Sequence, residues 1–528
     1  MSKALIKLTC ILLVFCFLFT GCGKSDTDNT VTDTTENTDS SVTDSGATEN
    51  NPTPFVVPEN IITEQEYRAR VDALTGETGY ADATDDYVKT IDTLRTDLYN
   101  MIIYNQSSAS YTGTAYYVSN SGNDNNDGLT PETAWATLDK VNSFTFKNGD
   151  AVRFERGGMW RGSIRGQNGV TYTAYGTGHK PKIYCSIDGK ALEWKQSEYE
   201  NVWVTEKRLG TDDVGLVVFN VGTDNEIYAE HQREFKDLKV DYDFMHHGKS
   251  SAESNKNGRL YIYCKAGNPA EVFESIEISI NTSIMEFAST PPSDITIWGL
   301  EMDFGTDFFF DSNLTNIYVK YCSFRWIGGQ WTGGEGIRYC GGGGAWQNCD
   351  NLVFEHSYFY QQFDSGVTPQ YNGSKISVFN KFITTDCLFE KVEYPFEYFH
   401  SNFAESLYKD FYIAYNIMYD TGGGFGDKRH RSACIRGRQY TPADNCVIEK
   451  NIYDRSQTQS VGLSALNVDG TENSEHVFTM RNNVYLVFYP NLRFATINSE
   501  TYKANINDYN AYVKKGYEQN PIMRVIPK

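Results

Sequence analysis

From residue 300 to the C-terminus one short unit recurs: a first residue that is usually polar or small, any residue, then a large apolar one. It occurs at Leu300/Met302, Cys322/Phe324, Ser357/Phe359, Cys387/Phe389, Asn416/Met418, Asn451/Tyr453, Asn483/Tyr485 and Asn510/Tyr512. The intervals between successive units are 22, 35, 30, 29, 35, 32 and 27 residues. An apolar run precedes many of them, as at Ile317 to Val319, Leu352 to Phe354, Phe411 to Ile413 and Val447 to Ile448. A short strand repeated at irregular spacing describes the turns of a solenoid whose loops vary in length, with a core continuous from one repeat to the next. Antiparallel hairpins are the rival, but they would need frequent two-residue Asn-Gly or Asp-Gly turns, and these do not dominate here. An aromatic content of 14% and 44 glycines suit a β-rich chain with many tight turns.

The N-terminus sets the compartment. Lys3 and Lys7 flank the start of an apolar run from Ile11 to Phe19, the length of a signal peptide and too short for a spanning helix. It ends in Phe19-Thr20-Gly21-Cys22, which resembles the lipobox of bacterial lipoproteins. The resemblance implies cleavage after residue 21, a lipid on Cys22, and a protein held on the extracellular face of the cell membrane. Residues 22–58, rich in Ser, Thr, Asp, Asn and Pro, carry too little apolar surface to fold and read as a disordered stalk. The segment 59–110 reads as helical: Val88, Ile91, Leu94, Leu98 and Ile102 form one apolar stripe behind the cap signals Thr84 and Asp85. The expected resting place of that stripe is an open end of the following β structure.

Residues 111–189 contain YYVSNSGNDNNDG (116–128), TPETAWATLDKVNS (130–143), NGDAVRFERGGMWRG (148–162) and GVTYTAYGTGHKPKI (169–183). This series resembles the N-terminal part of the pectate-lyase-like proteins, secreted carbohydrate-active proteins built on a right-handed parallel β-helix. The resemblance implies an all-β fold of that kind, with 291–528 as its main body, and leaves the reaction open, because hydrolases, lyases, epimerases and adhesins share it. Residues 190–290, with runs such as 201–204 and 215–219, read as an inserted β-subdomain. The Asp-rich turn 124–128 lacks the glutamate and spacing of an EF-hand calcium loop.

A net charge of −21 argues against a nucleic-acid partner. Of eleven cysteines, eight remain from Cys185 onward once Cys10, Cys16 and Cys22 are set aside, spread without CxxC or metal-ligand spacing. Buried thiols are expected rather than disulfides.

Repeats stacked about 4.8 Å apart bring equivalent positions together. After the units at Ser357, Cys387 and Asn416 come DSGVTPQ (364–370), EYPFEYF (393–399) and GGGFGDK (422–428). Val367, Phe396 and Phe425, 29 residues apart, are expected as one inward ladder, with Thr368, Glu397 and Gly426 outward. Asp364, Glu393 and Gly422 then share the preceding corner. Three carboxylates, Asp364, Glu393 and Glu397, converge on one outer face, with Glu335, Arg338 and Trp346 from the Gly-rich excursion and Lys428, Arg429, His430 and Arg431 beside them. Tyr398 and Trp346 offer aromatic planes of the kind that hold sugar faces.

Three functions fit. A glycoside hydrolase would use Glu397 as acid and Asp364 as base. A lyase acting on a uronate polysaccharide would draw a proton with Lys428 while Asp364 and Glu393 hold calcium, the one cofactor candidate. A glycan-binding adhesin would need no catalysis. In each case the partner is a polysaccharide and the protein is expected to be a monomer.

Overall fold

The computed structural model describes residues 55–528 apart from 332–337, 339, 372, 400–404, 428–431, 439–442, 457–463, 469–477, 498 and 528. The signal sequence, Cys22 and the stalk up to residue 54 therefore lie outside the described residues, as do Glu335 and the run Lys428, Arg429, His430 and Arg431. The described chain is mostly β, with few helices and two large sheets of 20 and 12 strands in which parallel pairing dominates.

The repeated unit sets the register. Met302 pairs with Phe324, then the same column continues through Phe359, Phe389, Met418, Tyr453 and Tyr485 on successive parallel strands. These seven side chains lie in one buried cluster. The last member differs from expectation. Asn510 and Tyr512 fall in helix α5 (Ile506–Lys515), and the strand partner of Tyr485 is Met523. An Asn-x-Tyr unit fits a helix whose Tyr509 and Tyr512, three apart, both face the core, as well as it fits a strand.

The first residue of each unit links repeats by side-chain hydrogen bonds. Cys387 N–H donates to Asn416 Oδ1 at 2.9 Å, Asn416 Nδ2 to Asn451 Oδ1 at 2.9 Å, and Asn451 Nδ2 to Asn483 Oδ1 at 3.0 Å. The ladder ends on Glu518, whose Oε1 accepts from Asn483 Nδ2 at 2.8 Å. Just before each of these residues the backbone turns through the left-handed region, at Tyr321, His356, Asp386, Tyr415, Lys450 and Asn482. Such a turn costs a non-glycine residue roughly 1–2 kcal/mol. The ladder bonds, each worth about 1 kcal/mol net, offset that cost repeat by repeat.

The helical segment is two helices. α1 (Glu64–Thr75) carries a capping box at Thr63 and Glu66, and α2 (Asp85–Ile103) starts at Thr84, whose hydroxyl accepts from Tyr87 N–H at 3.2 Å. A short strand, Gly79–Asp82, separates them and pairs with Ile522–Val525. The apolar stripe does not close an open end, as the sequence suggested. Ile91, Leu94, Leu98 and Ile102 pack on the outer side of the sheet, against a row formed by Tyr358, Leu388, Ile417, Ile452, Val484 and Ile522. A sheet with apolar residues on both faces needs cover on both, and the helices supply the second. The core beyond the first strands is packed instead by α3 (Leu138–Ser143), through Leu138 and Val141.

The region 190–290 has its own apolar cluster, including Trp194, Phe219, Phe244, Ile262 and Ile276, and holds the one-turn helix α4 (Pro269–Val272). It joins the parallel strands through Lys182–Asp188, which pairs in parallel with Glu301–Phe304 and antiparallel with Ile276–Ile280. All eight cysteines from Cys185 to Cys446 are unpaired, and seven of them are buried.

Candidate active site

The strands Tyr358–Gln370 and Leu388–Phe399 are long because each turns a corner and continues, with a register irregularity between Gln362 and Ser365. Beyond the corner Val367 pairs with Phe396, and Phe396 with Ile435. Ile435 and not Phe425 is therefore the third member of the inward ladder. Phe425 packs elsewhere, with Trp326 and Phe363 against Leu216 and Val218 of the inserted region. The interval after Phe396 lengthens from 29 to 39 residues, and a loop insertion of that size leaves no periodic trace in the sequence.

Glu397 alternates with inward Phe396 and pairs in register with Arg436. Its Oε2 accepts from Ser365 Oγ at 2.8 Å, and its Oε1 lies 3.4 Å from Arg436 Nε. The guanidinium of Arg436 in turn lies over Tyr394, 4.8 Å from the ring centre. Glu393 accepts from Ser432 Oγ at 2.8 Å. Both glutamates are buried, at 1% and 2% exposure, on the side of the strand that does not face the main core. Hydroxyls and a guanidinium thus stand where carboxylates buried without partners would be severely destabilising.

Asp364 sits at the corner, half-buried, beneath the Gly-rich excursion. A Cβ on Gly341 would lie 2.7 Å from Asp364 N, so only glycine lets the chain pass this close. On the far side of the excursion Phe308 N–H donates to Gly342 O at 2.9 Å, which places Asp307 across the glycines from Asp364. Burial pushes the Asp307 carboxyl up to about 7, with Glu286 adding and a Ser283 hydrogen bond opposing. Its Oδ1 is buried without a hydrogen-bond partner. Between the two lies Cys340, whose thiol is pushed up to about 12 by burial and then by Asp307, Asp364 and Asp213. Asp307, Ser365, Ser432 and Arg436 escaped the sequence reading, whereas Tyr394 is one of the aromatics that reading set beside the carboxylates. Asp307 follows a Gly-Thr pair at a corner, a signal shared with any turn, and Arg436 becomes visible only once the 39-residue interval is known.

Several residues assigned to substrate contact do other work. Tyr398 points into the core against Phe396, Tyr408 and Phe478, the same parity as Phe396 two residues earlier. Arg338 donates from Nη2 to the carbonyls of Val214 and Gly215 at 2.7 and 2.8 Å, fastening the excursion to the inserted region. Asp213 completes that fastening, accepting from Trp331 N–H and Ser250 Oγ, both at 2.6 Å. Trp346, partly buried, packs its ring on Phe310 and Tyr371. The site faces therefore come from Asp364, Glu393, Glu397, Asp307 and Arg436.

The aspartates of the 124–128 turn and Asp386 are engaged by other groups. Asp124 accepts from the backbone of Ala136 and Thr137 and from the Thr137 hydroxyl, and Asp127 from Leu129 N–H and Thr133 Oγ1, so this turn uses its aspartates as caps. Among the described residues Glu64, His356 and Asp386 bring ligand-type atoms within 4.8 Å of one another. Arg68 makes a paired contact with both oxygens of Asp386, at 3.0 and 2.5 Å, so a cation there would have to displace a guanidinium.

No family model and no curated protein matches the chain. Among solved structures it is similar to the complex of XylC with xylose, at 10% identity and a TM-score of 0.38 over 78% of this chain and 84% of that one. A GH136 lacto-N-biosidase from Eubacterium ramulus gives 10% and 0.37 over 84% and 71%, and a glycoside hydrolase 8% and 0.38 over 79% and 97%. Likenesses this distant do not decide a function.

Proposed function

We propose that the protein is a lipid-anchored extracellular glycoside hydrolase on a right-handed parallel β-helix, cutting a polysaccharide at the corner between Asp307, Asp364 and Glu397. The observation that supports this most is the pair of carboxylates flanking Gly341 and Gly342, one of them with its carboxyl raised. Hydrolysis of a glycosidic bond needs one protonated and one ionised carboxyl group. Asp307, raised by burial, suits the proton donor, a role that the sequence alone gave to Glu397. Asp364 keeps the role of base. Glu397, facing Arg436 and accepting from Ser365, suits a fixed negative charge that orients the guanidinium and supports a positively charged sugar in the transition state. Asp307, in the loop before the strand Phe310–Asp311, and Asp364 stand on opposite sides of Gly341 and Gly342. The separation of the two carboxyl groups decides between a retaining and an inverting reaction. Anchoring at Cys22, a single polysaccharide partner and a monomeric state complete the proposal.

The test is a panel of polysaccharides incubated with residues 59–528, read by reducing ends and by the anomer first released. New reducing ends support the reading, and the anomer first released tells retention from inversion. Ultraviolet-absorbing unsaturated ends would replace it with a lyase, and binding without cleavage with an adhesin. Cys22→Ala should release the full chain from membranes, and unchanged detergent-phase partitioning would remove the anchor.

A further inference from the structure

Two cationic side chains are buried side by side with no carboxylate to meet them among the described residues. Arg156 follows the strand Ala151–Glu155, and Lys180 precedes the strand Lys182–Asp188. Arg156 N–H donates to Tyr175 O at 3.0 Å, and Gly178, whose positive φ of 129° favours glycine, stands beside the Arg156 side chain. The side chains are 6% and 3% exposed. Arg156 spends Nη2 on Ser107 O at 3.2 Å, while its Nε and Nη1 and the Lys180 Nζ are buried without a hydrogen-bond acceptor. No ion pair joins either cation to a carboxylate among the described residues. Glu301, the carboxylate whose charge acts on Lys180, is held by Arg325 at 3.1 Å and by the Tyr184 hydroxyl at 3.2 Å. The Cys322 thiol, pushed up to about 11 by burial, brings no negative charge.

Burial pushes the Lys180 ammonium down to about 7, with Arg156 adding to the effect. Loss of the lysine proton would still leave a guanidinium with two idle donors, since arginine does not deprotonate in proteins. We propose that Arg156 and Lys180 hold a small inorganic anion of the size of chloride. Burial sets that size: Nε and Nη1 of Arg156 and Nζ of Lys180 are all shut off from solvent, so only a small ion fits among them. The position gives the anion a structural task. Residues 105–109 carry the chain from α2 onto the sheet, and they are held here by Gln106 on Gly178, Ser108 on Ala174 and Ala109 on Thr173. An anion beneath Ser107 would complete that seam.

The test uses the full chain. Thermal unfolding is followed while chloride replaces gluconate, an anion too large for the site, at constant ionic strength. A saturable rise in Tm is expected, because a ligand of the folded state alone stabilises it by mass action. Lys180→Met should abolish the rise, and crystals soaked in bromide should give an anomalous peak between Arg156 and Lys180 Nζ in the unaltered protein. Absence of that peak overturns the proposal, as does a chloride response that persists unchanged in Lys180→Met. Should Lys180→Met fail to fold, Arg156→Gln serves as the second variant, and the bromide peak decides independently of both.

Discussion

The strands Tyr358–Gln370 and Leu388–Phe399 run through two different surroundings. Before their corner, Tyr358 and Leu388 belong to the outer row covered by α2. After it, Ser365, Glu393 and Glu397 occupy the uncovered counterpart, equally buried but polar. On the first half burial is supplied by another element, and the outer residues are chosen to be apolar. On the second half the buried positions are filled by carboxylates with hydroxyl and guanidinium partners, Ser365, Ser432 and Arg436. Apolar rows hold a structure together without specifying anything about a ligand. A buried polar set on the other half of the same strands demands a reason, and the reading of a catalytic corner supplies one.

The comparison can be broken most violently in the covered half. Ile417→Asp would place an unpaired carboxylate beneath α2 at a cost on the order of several kcal/mol, and circular dichroism should show an unfolded or molten chain. A cooperative melt near that of the unaltered protein would mean that the helices are only loosely laid on the sheet. In the polar half the outcome should invert. Asp364→Asn and Glu397→Gln keep shape and lose charge, so turnover on whichever glycan is cut should fall by about two or more orders of magnitude, with the melting temperature held in Asp364→Asn and lowered in Glu397→Gln, which takes a buried charge away from Arg436. Full activity in either variant would remove that residue from the mechanism.

A smaller effect belongs to both halves. Asn451→Ala breaks the ladder in its middle and strands donors on Asn416, which should cost about 1–3 kcal/mol in denaturant unfolding with an unchanged m-value. The smallest is a matter of slope. Asp307 has its carboxyl raised in the folded state, so the stability it contributes is full below the unfolded value near 4 and is lost as pH rises through about 7. Asp307→Asn should flatten stability against pH across that window, and an unchanged slope would show that its carboxyl is not raised.

Much of the frame was legible because an inward position recurs once per repeat whatever the loop does. From Met302 to Tyr485 the unit alone set the register. It failed where length changed, at Phe425, and where a helix imitated the unit, at Asn510 and Tyr512. The candidate site was legible only as chemistry in the right neighbourhood. Parity along a strand separates Glu397 from Phe396, and should have sent Tyr398 inward as well. Partners such as Arg436 and Asp307 come from corners whose place depends on loop lengths, and Arg338 looked like a ligand because its true acceptors are backbone carbonyls, which no side-chain pattern reveals.

The helix α1 acts as a vernier laid along the repeats. Glu64, Arg68 and Asp72 follow one another at four-residue steps, roughly 6 Å each, while the turns they meet advance by roughly 4.8 Å. Glu64 stands at His356 and Arg68 at Asp386. By the second step the two scales have slipped by half a division, and Asp72 falls midway between the next two turns. There Asp72 Oδ1 is shared, 2.7 Å from Lys450 Nζ and 3.2 Å from the Tyr415 hydroxyl. Two scales with different divisions agree at only one offset, so α1 can lock the relative positions of four consecutive turns, and a single residue inserted between Glu64 and Arg68 would take Glu64 away from His356 while Arg68 and Asp72 kept their marks.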